Sequence, residues 1–390
     1  MSPSTRRRFL SVLGVGSVVG IAGCASDPEP APIDDPSGSW PTYRHSANNA
    51  GRTTDPGPRD GATVHWTARL SQSLRGPPIV VGDKLYAATT RLLSERSLQT
   101  GEQTDELVLP GSGSGGLTYM DGFVIGSGYS VFGVDLEKGY RVWTSPELNG
   151  GLTTPAVTDG VAAVGVEHTG NVYGVDTETG EVRWGVETTA IGAPLAAADG
   201  VAYAVDLDGT LYAIDVASGS VRWQQRLSAF SNDGAPVVAD GSVYAGDNDG
   251  VFYAFDAETG EERWRRTLAE SSVYAPAVGD GTLYVTDGDG GVHALSAHDG
   301  STEWSASTAG WFGDPFYGYS DVSPVLAGDT LYVVGDDMVH AFAVDDEPEL
   351  FESRRRWKVP VRGVRSLLVV GPRIYTVSGL GNITALGPTR

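Results

Sequence analysis

Cysteine occurs once in the 390 residues, at Cys24, and lysine only at Lys84, Lys138 and Lys358. A single thiol excludes an internal disulfide and any zinc site built on paired cysteines. With 27 basic residues against 49 acidic ones the net charge is −22, which argues against nucleic-acid binding through a basic face. The apolar run Leu10–Ala22 is thirteen residues long, too short for a bilayer-crossing helix of about 20. The 53 glycines and 22 prolines call for many turns rather than long helices. What is present suffices for a large core: 40% of the residues are hydrophobic and 19% charged.

The opening "STRRRFLSVLGVGSVVGIAGC" sets Arg6 and Arg7 before Phe9 and Leu10, then the apolar run, then small residues ahead of Cys24. It resembles a twin-arginine export signal ending in a lipobox. That implies removal of residues 1–23 and a lipid on Cys24, the only contact with the membrane. The expected location is outside the cytoplasm, anchored to the outer face of the cytoplasmic membrane. Residues 24–39, rich in proline and acid, read as an extended tether, and 40–390 as one folded domain. The acidic, lysine-poor composition resembles that of haloarchaeal proteins, where carboxylates keep the surface hydrated and salt screens their repulsion. The acidity of the chain as a whole is therefore not read as a sign of a basic partner or of a metal.

One phrase recurs: "DTETGEVRW" at 176, "DVASGSVRW" at 215 and "DAETGEERW" at 256. Its tryptophans, Trp143, Trp184, Trp223, Trp264 and Trp304, are 41, 39, 41 and 40 residues apart, with Trp66 and Trp357 as the outlying members. A period near 40 with strand alternation is the signature of propeller blades. Each unit reads as four strands separated by Asp-Gly and Thr-Gly turns, where glycine supplies a positive φ. A sheet with two apolar faces is not stable alone, but radial stacking covers each with the next. The tryptophans are expected to wedge between neighbouring blades. Units begin near Pro77, Gly115, Thr154, Ala193, Ala235, Ala275, Ser323 and Arg365, and the last has only three strands. "ATVHWTARL" around Trp66 supplies the fourth, so the expectation is an all-β, eight-bladed propeller of four-stranded antiparallel blades closed by the N-terminal strand. Seven blades is the alternative, because the first unit has Asp105 in the tryptophan position.

"APVVADGSVYAGDNDGVFYAFDAETGEERW", 235–264, resembles the PQQ-like repeat family almost throughout, and "WPTYRHSANNAGRT", 40–53, resembles the segment preceding the propeller in many members. The family includes quinone-dependent dehydrogenases, barrel-assembly lipoproteins and binding propellers, so the resemblance implies a fold and leaves the function open. A dehydrogenase of this family implies adjacent cysteines over a quinone, and a calcium held by acidic and amide ligands beside a catalytic aspartate. With its one cysteine in the leader, the chain does not supply the set. The expectation is a binding scaffold for a protein or glycan, with no catalytic residue, no metal and no cofactor; the alternative is a PQQ-dependent dehydrogenase acting on alcohols or sugars.

Several surfaces are candidates for binding. The long connector 305–321 holds Trp311, Phe312, Phe316, Tyr317 and Tyr319, either a partner site or a plug over the channel. The turns at Asp206, Asp247 and Asp287, with Asp336 and Asp337, are a calcium ring or plain turns, and the acid-rich composition favours turns. Arg354, Arg355, Arg356 and Lys358 form a basic hairpin that pairs with local carboxylates or meets an anionic partner. The histidines show no paired ligand spacing and are expected to be ordinary surface or turn residues. Asn382 opens a glycosylation-type triplet that arises readily by chance.

Overall fold

Alternation along the third unit shows why these segments become blades. Val161–Gly165 and Val172–Asp176 pair antiparallel, and Val164 and Val175 pack on the preceding blade while Ala163 and Val172 pack on the next. Successive side chains of a strand point to opposite faces, and here both faces find apolar cover. In the computed structural model, which describes residues 38–74, 76–109, 115–229, 234–308, 322–345 and 353–389, the pattern repeats as eight antiparallel sheets. Their first strands in chain order around the ring are Ile79–Val81, Leu117–Met120, Ala156–Thr158, Ala196–Ala198, Val237–Ala239, Ala277–Val278, Val325–Ala327 and Val364–Val370, in blades 1 to 8. Each begins within three residues of the start expected from the repeat.

The chain closes its own ring. Strand Ala62–Arg69 pairs antiparallel with Asn382–Pro388, placing Trp66 opposite Ala385 and Thr67 opposite Thr384, and so completes blade 8. Blade 8 is joined to blade 1 by the Trp66 indole and the Tyr375 hydroxyl, which both donate to the Leu98 carbonyl, at 3.2 and 3.1 Å. One detail differs from the expectation of four strands throughout. Blade 7 carries a fifth, innermost strand, Arg52–Thr53, parallel to Val325–Ala327, supplied by the segment that precedes the ring.

The tight turns between first and second strands have the expected chemistry. Asp159 and Gly160, at φ 47° and 71°, and Asp199 and Gly200, at 49° and 71°, both lie in the left-handed region that a two-residue hairpin requires. These turns, with those between third and outer strands, define one end of the ring, here called the turn rim. The opposite end holds the turns between second and third strands and the connectors from blade to blade, and is called the connector rim.

Candidate functional site

A propeller has an edge problem at its centre. Each innermost strand presents unpaired N–H and C=O groups to the axis, where a buried unpaired group is costly. Residues 40–51 answer it blade by blade. Val80, Tyr119, Ala197, Val238, Val278 and Leu326 each donate a backbone N–H to this segment, to the carbonyls of Trp40, Pro41, Ala47, Asn48, Ala50 and Gly51 at 2.6–2.9 Å. Six blades are thus bonded to one stretch of chain. It enters and leaves on the turn rim: Gly38 lies against Val370 and Gly371 of blade 8, and Gly57 donates back to the Gly371 carbonyl.

Two side chains carry the plug deeper. Just before the inner strands, carbonyls at the sheet edge face the axis with no ladder partner, those of Pro155, Pro236, Pro276 and Pro324 among them, where proline's missing N–H costs nothing. Asn49 Nδ2 donates to the carbonyls of Leu195 and Pro236, both at 3.0 Å. Arg44 donates from Nε to Asn49 O at 2.9 Å, from Nη1 to Ala275 O at 3.1 Å, and from Nη2 to the carbonyls of Pro276 and Pro324. Among the described residues no carboxylate joins them, and burial lowers the guanidinium to about 10, so it stays charged at neutral pH. The planar fork meets a ring of carbonyls that a lysine's point charge would not match. Thr42 and Thr118 complete the set: their hydroxyls share a hydrogen bond of 2.8 Å, and Thr118 donates on to Pro155 O at 2.6 Å.

A quinone and calcium centre does not fit these residues. Trp40 is 2% exposed, and the cavity beside Trp40, Tyr43, Arg44 and Arg365 measures about 40 Å³, room for a few waters. Among the described residues no three His, Cys, Asp or Glu side chains converge as a metal would need. Of the residues implied for a cofactor site, the one cysteine lies outside the described residues.

On the connector rim Asp206, Asp247 and Asp287 are buried and face inward. Asp247 accepts from the N–H groups of Asp249 and Val251 and from the hydroxyls of Tyr253 and Ser228; Asp206 accepts from Thr210 N and Tyr212. In blade 6 the partner is His293, whose Nε2 lies 2.8 Å from Asp287. Each carboxylate is taken up by its own turn. Asp336 and Asp337, both at φ 54°, form the corresponding tight turn of blade 7.

His340 departs from the expectation of surface histidines. It is 1% exposed, on strand Met338–Ala343 opposite Lys358, with Nε2 3.1 Å from Gly335 O and Nδ1 unpartnered. Burial, with Arg355 and Lys358 nearby, lowers it to about 4, so it is neutral in the fold. The basic hairpin is turned onto the molecule: Arg354 lies 4.8 Å over the Trp304 ring, Arg355 donates to Ser307 O at 3.1 Å, and Arg356 pairs with Asp329 at 2.9 Å. Lys358 sits on the outer strand. Cys24, Arg6, Arg7 and the aromatics Trp311, Phe312, Phe316, Tyr317 and Tyr319 lie outside the described residues.

The repeat tryptophans reach across blades. The indoles of Trp184, Trp223 and Trp264 donate to the carbonyls of Val216, Ala257 and Ala297 in the next blade, at 2.7, 3.0 and 3.1 Å; Trp357 donates to Pro58 O at 2.9 Å. Opposite Trp143, Trp184, Trp223, Trp264, Trp304, Trp357 and Trp66 stand Gly133, Gly174, Ala213, Ala254, Ala294, Ala341 and Ala385, small enough to seat an indole. In blade 1 the pair is Asp105 opposite Glu95, and Lys84 and Thr104 reach Glu95 instead.

A closed eight-bladed ring with this repeat defines a PQQ-like propeller. The family model described as outer membrane protein assembly factor BamB matches residues 57–184, 127–273 and 249–390, and the chain belongs to that family. Among solved structures it is similar to BamB from Moraxella catarrhalis, with 19% identity, TM-score 0.67, and coverage of 84% of this chain and 100% of that one. A europium-containing methanol dehydrogenase gives 11% identity and TM-score 0.70 over 91% and 98% of the two chains. The computationally designed Ika8 protein gives 13% and 0.69 over 86% and 100%. At these identities the likeness is one of fold. No curated protein sequence matches the chain.

Proposed function

We propose that this protein is an exported, lipid-tethered propeller that works outside the cytoplasm as a scaffold binding another protein or a glycan. The observation that carries the reading is the axis filled by residues 40–51, which leaves the rims and outer strands as the surfaces on offer. The name of the matching family, an outer membrane assembly factor, is in keeping with a protein-binding role. Among the described residues no helix is long and apolar enough to cross a membrane, and the proposed attachment is the lipid on Cys24.

Two measurements test this. Membrane fractionation of the Cys24→Ser variant should release the protein from the membrane, and replacing Arg6 and Arg7 by lysine should retain it inside the cell; a Cys24→Ser protein that stays membrane-bound contradicts the anchor. The purified protein, incubated with pyrroloquinoline quinone and calcium, should not reduce a dye with alcohols or sugars. Turnover there would replace the scaffold reading with the dehydrogenase one.

A further inference from the structure

The repeat provides its own controls at the bulge just before each tryptophan position. The residue there is Thr104, Val142, Arg183, Arg222, Arg263, Glu303, Arg356 and His65 in blades 1 to 8. Valine in blade 2 is the one apolar member. In blades 3, 4 and 5 the arginine closes an ion pair with the aspartate that ends the third strand, Asp176, Asp215 or Asp256, and in blade 5 it also donates to Ser242 at 2.7 Å. Blade 2 replaces this polar cluster. Phe123 stands where Ser242 does, each opposite the strand-ending aspartate, and Tyr140, also opposite Asp135, stands where blade 5 has Glu261. Lys138 pairs with Asp135 in place of the arginine.

Phe123, Tyr140 and Val142 are 36%, 52% and 38% exposed; at the Phe123 position blades 3 and 4 also have an apolar residue, but there Val161 and Val201 are buried, so blade 2 alone of these three sets an exposed aromatic at an open edge, where charge is the usual protection. The outer strand Tyr140–Thr144 is terminal in its sheet, so its outward N–H and C=O groups have no strand partner. The surrounding turns decide what chemistry suits it. Asp83, Asp121, Asp159 and Asp199, on the turns of blades 1 to 4, are exposed and meet no cation at ion-pair distance among the described residues, whereas Arg52 neutralises Asp280 and Arg59 and Arg356 neutralise Asp329 on blades 6 and 7.

We infer that the turn rim of blade 2 docks an extended segment of a partner protein, whose apolar side chains cover Phe123, Tyr140 and Val142 and whose flanking lysines or arginines meet the neighbouring aspartates. Strand addition to Tyr140–Thr144 supplies main-chain bonds, and the side chains supply selectivity. An anionic lipid surface is disfavoured by the same aspartates. In molar salt the charge acts only at contact range, about 3 Å, and apolar burial carries the affinity. The inference rests on the scaffold reading and names the surface and the partner's chemistry.

The probes are a fluorescent ten-residue peptide alternating valine or phenylalanine with lysine or arginine, the same peptide with glutamate at the basic positions, and vesicles of anionic phospholipid. They are titrated against the full chain and against the variant Phe123→Ser, Tyr140→Glu, Val142→Arg, which installs the residues of blade 5 without changing net charge. The basic peptide is expected to bind, to bind the variant at least tenfold more weakly with an unchanged Tm, and, when photoreactive, to crosslink within residues 119–144. The acidic peptide and the vesicles are expected not to bind. Should the triple variant melt early, Tyr140→Glu alone, at a half-exposed position, is expected to lose at least threefold. Equal affinity for wild type and variant, equal binding of the acidic peptide, vesicle binding that the variant loses, or no peptide binding at all would each overturn the inference. Crosslinks confined to other blades would also overturn it while leaving the scaffold reading standing.

Discussion

Trp184 and Gly219 act as one unit across two blades. The indole lies on the glycine of the next blade's turn, where φ is 73° and an added Cβ would sit 2.6 Å from Trp184 Cβ. Trp184→Ala is expected to lose about 3–5 kcal/mol as a buried aromatic truncation, and Gly219→Ala to lose at least about 1 kcal/mol through the left-handed backbone and the contact. Calorimetry showing an unchanged Tm for either would remove the wedge from the account. Arg44 is held by four carbonyls, so Arg44→Lys should lower stability by about 2–4 kcal/mol despite keeping the charge, because the fork geometry and several buried hydrogen bonds are lost; denaturant titration would read this as a lower midpoint at unchanged m-value. His340 adds a pH dependence. Its folded value, about 4, lies below the ordinary 6.5, so its neutral form contributes stability that is complete above pH about 6.5 and lost as pH falls toward 4. The contribution is at most about 3 kcal/mol. Comparing acid titrations of wild type and His340→Gln should show a shallower loss in the variant over that window; parallel curves would contradict it.

At the scale of elements, legibility followed the range of the interactions. The blades could be read because their signals are local: Asp-Gly turns, with positive φ at Asp159 and Asp199, and a tryptophan that recurs about every forty residues. The N-terminal strand was also legible, since Trp66 stood without a blade of its own. The plug was not. Arg44 and Asn49 bond to carbonyls 146 to 280 residues away, and backbone acceptors leave no mark in side-chain pattern. His340 looked like any strand residue because its burial comes from neighbouring elements. The apolar bulge at Val142 becomes visible only once the register assigns Arg183, Arg222 and Arg263 to the same position. The closure itself can be tested by pairing Thr67→Cys with Thr384→Cys in a Cys24→Ser background. These residues are direct cross-strand partners, and an intramolecular disulfide is expected, raising Tm by constraining a long loop. A pair that stays reduced under mild oxidant, or that links only between molecules, contradicts a shared blade.

For the molecule as a whole, the account joins two closures, the terminal strand that completes blade 8 and the segment that ties the inner strands together along the axis. With both in place the ring should unfold as one cooperative unit, and residues 40–51 should be among its slowest-exchanging backbone despite containing almost no regular structure. Native-state hydrogen exchange followed by peptide mass spectrometry reads this directly. The amides of Val80, Tyr119, Ala197, Val238, Val278 and Leu326, together with the peptide spanning residues 40–51, are expected to exchange only through global unfolding, at a common rate set by the overall stability. Exchange of that peptide within seconds, while the outer strands remain protected, would mean that the axis is not held by the plug, and the central claim would be wrong.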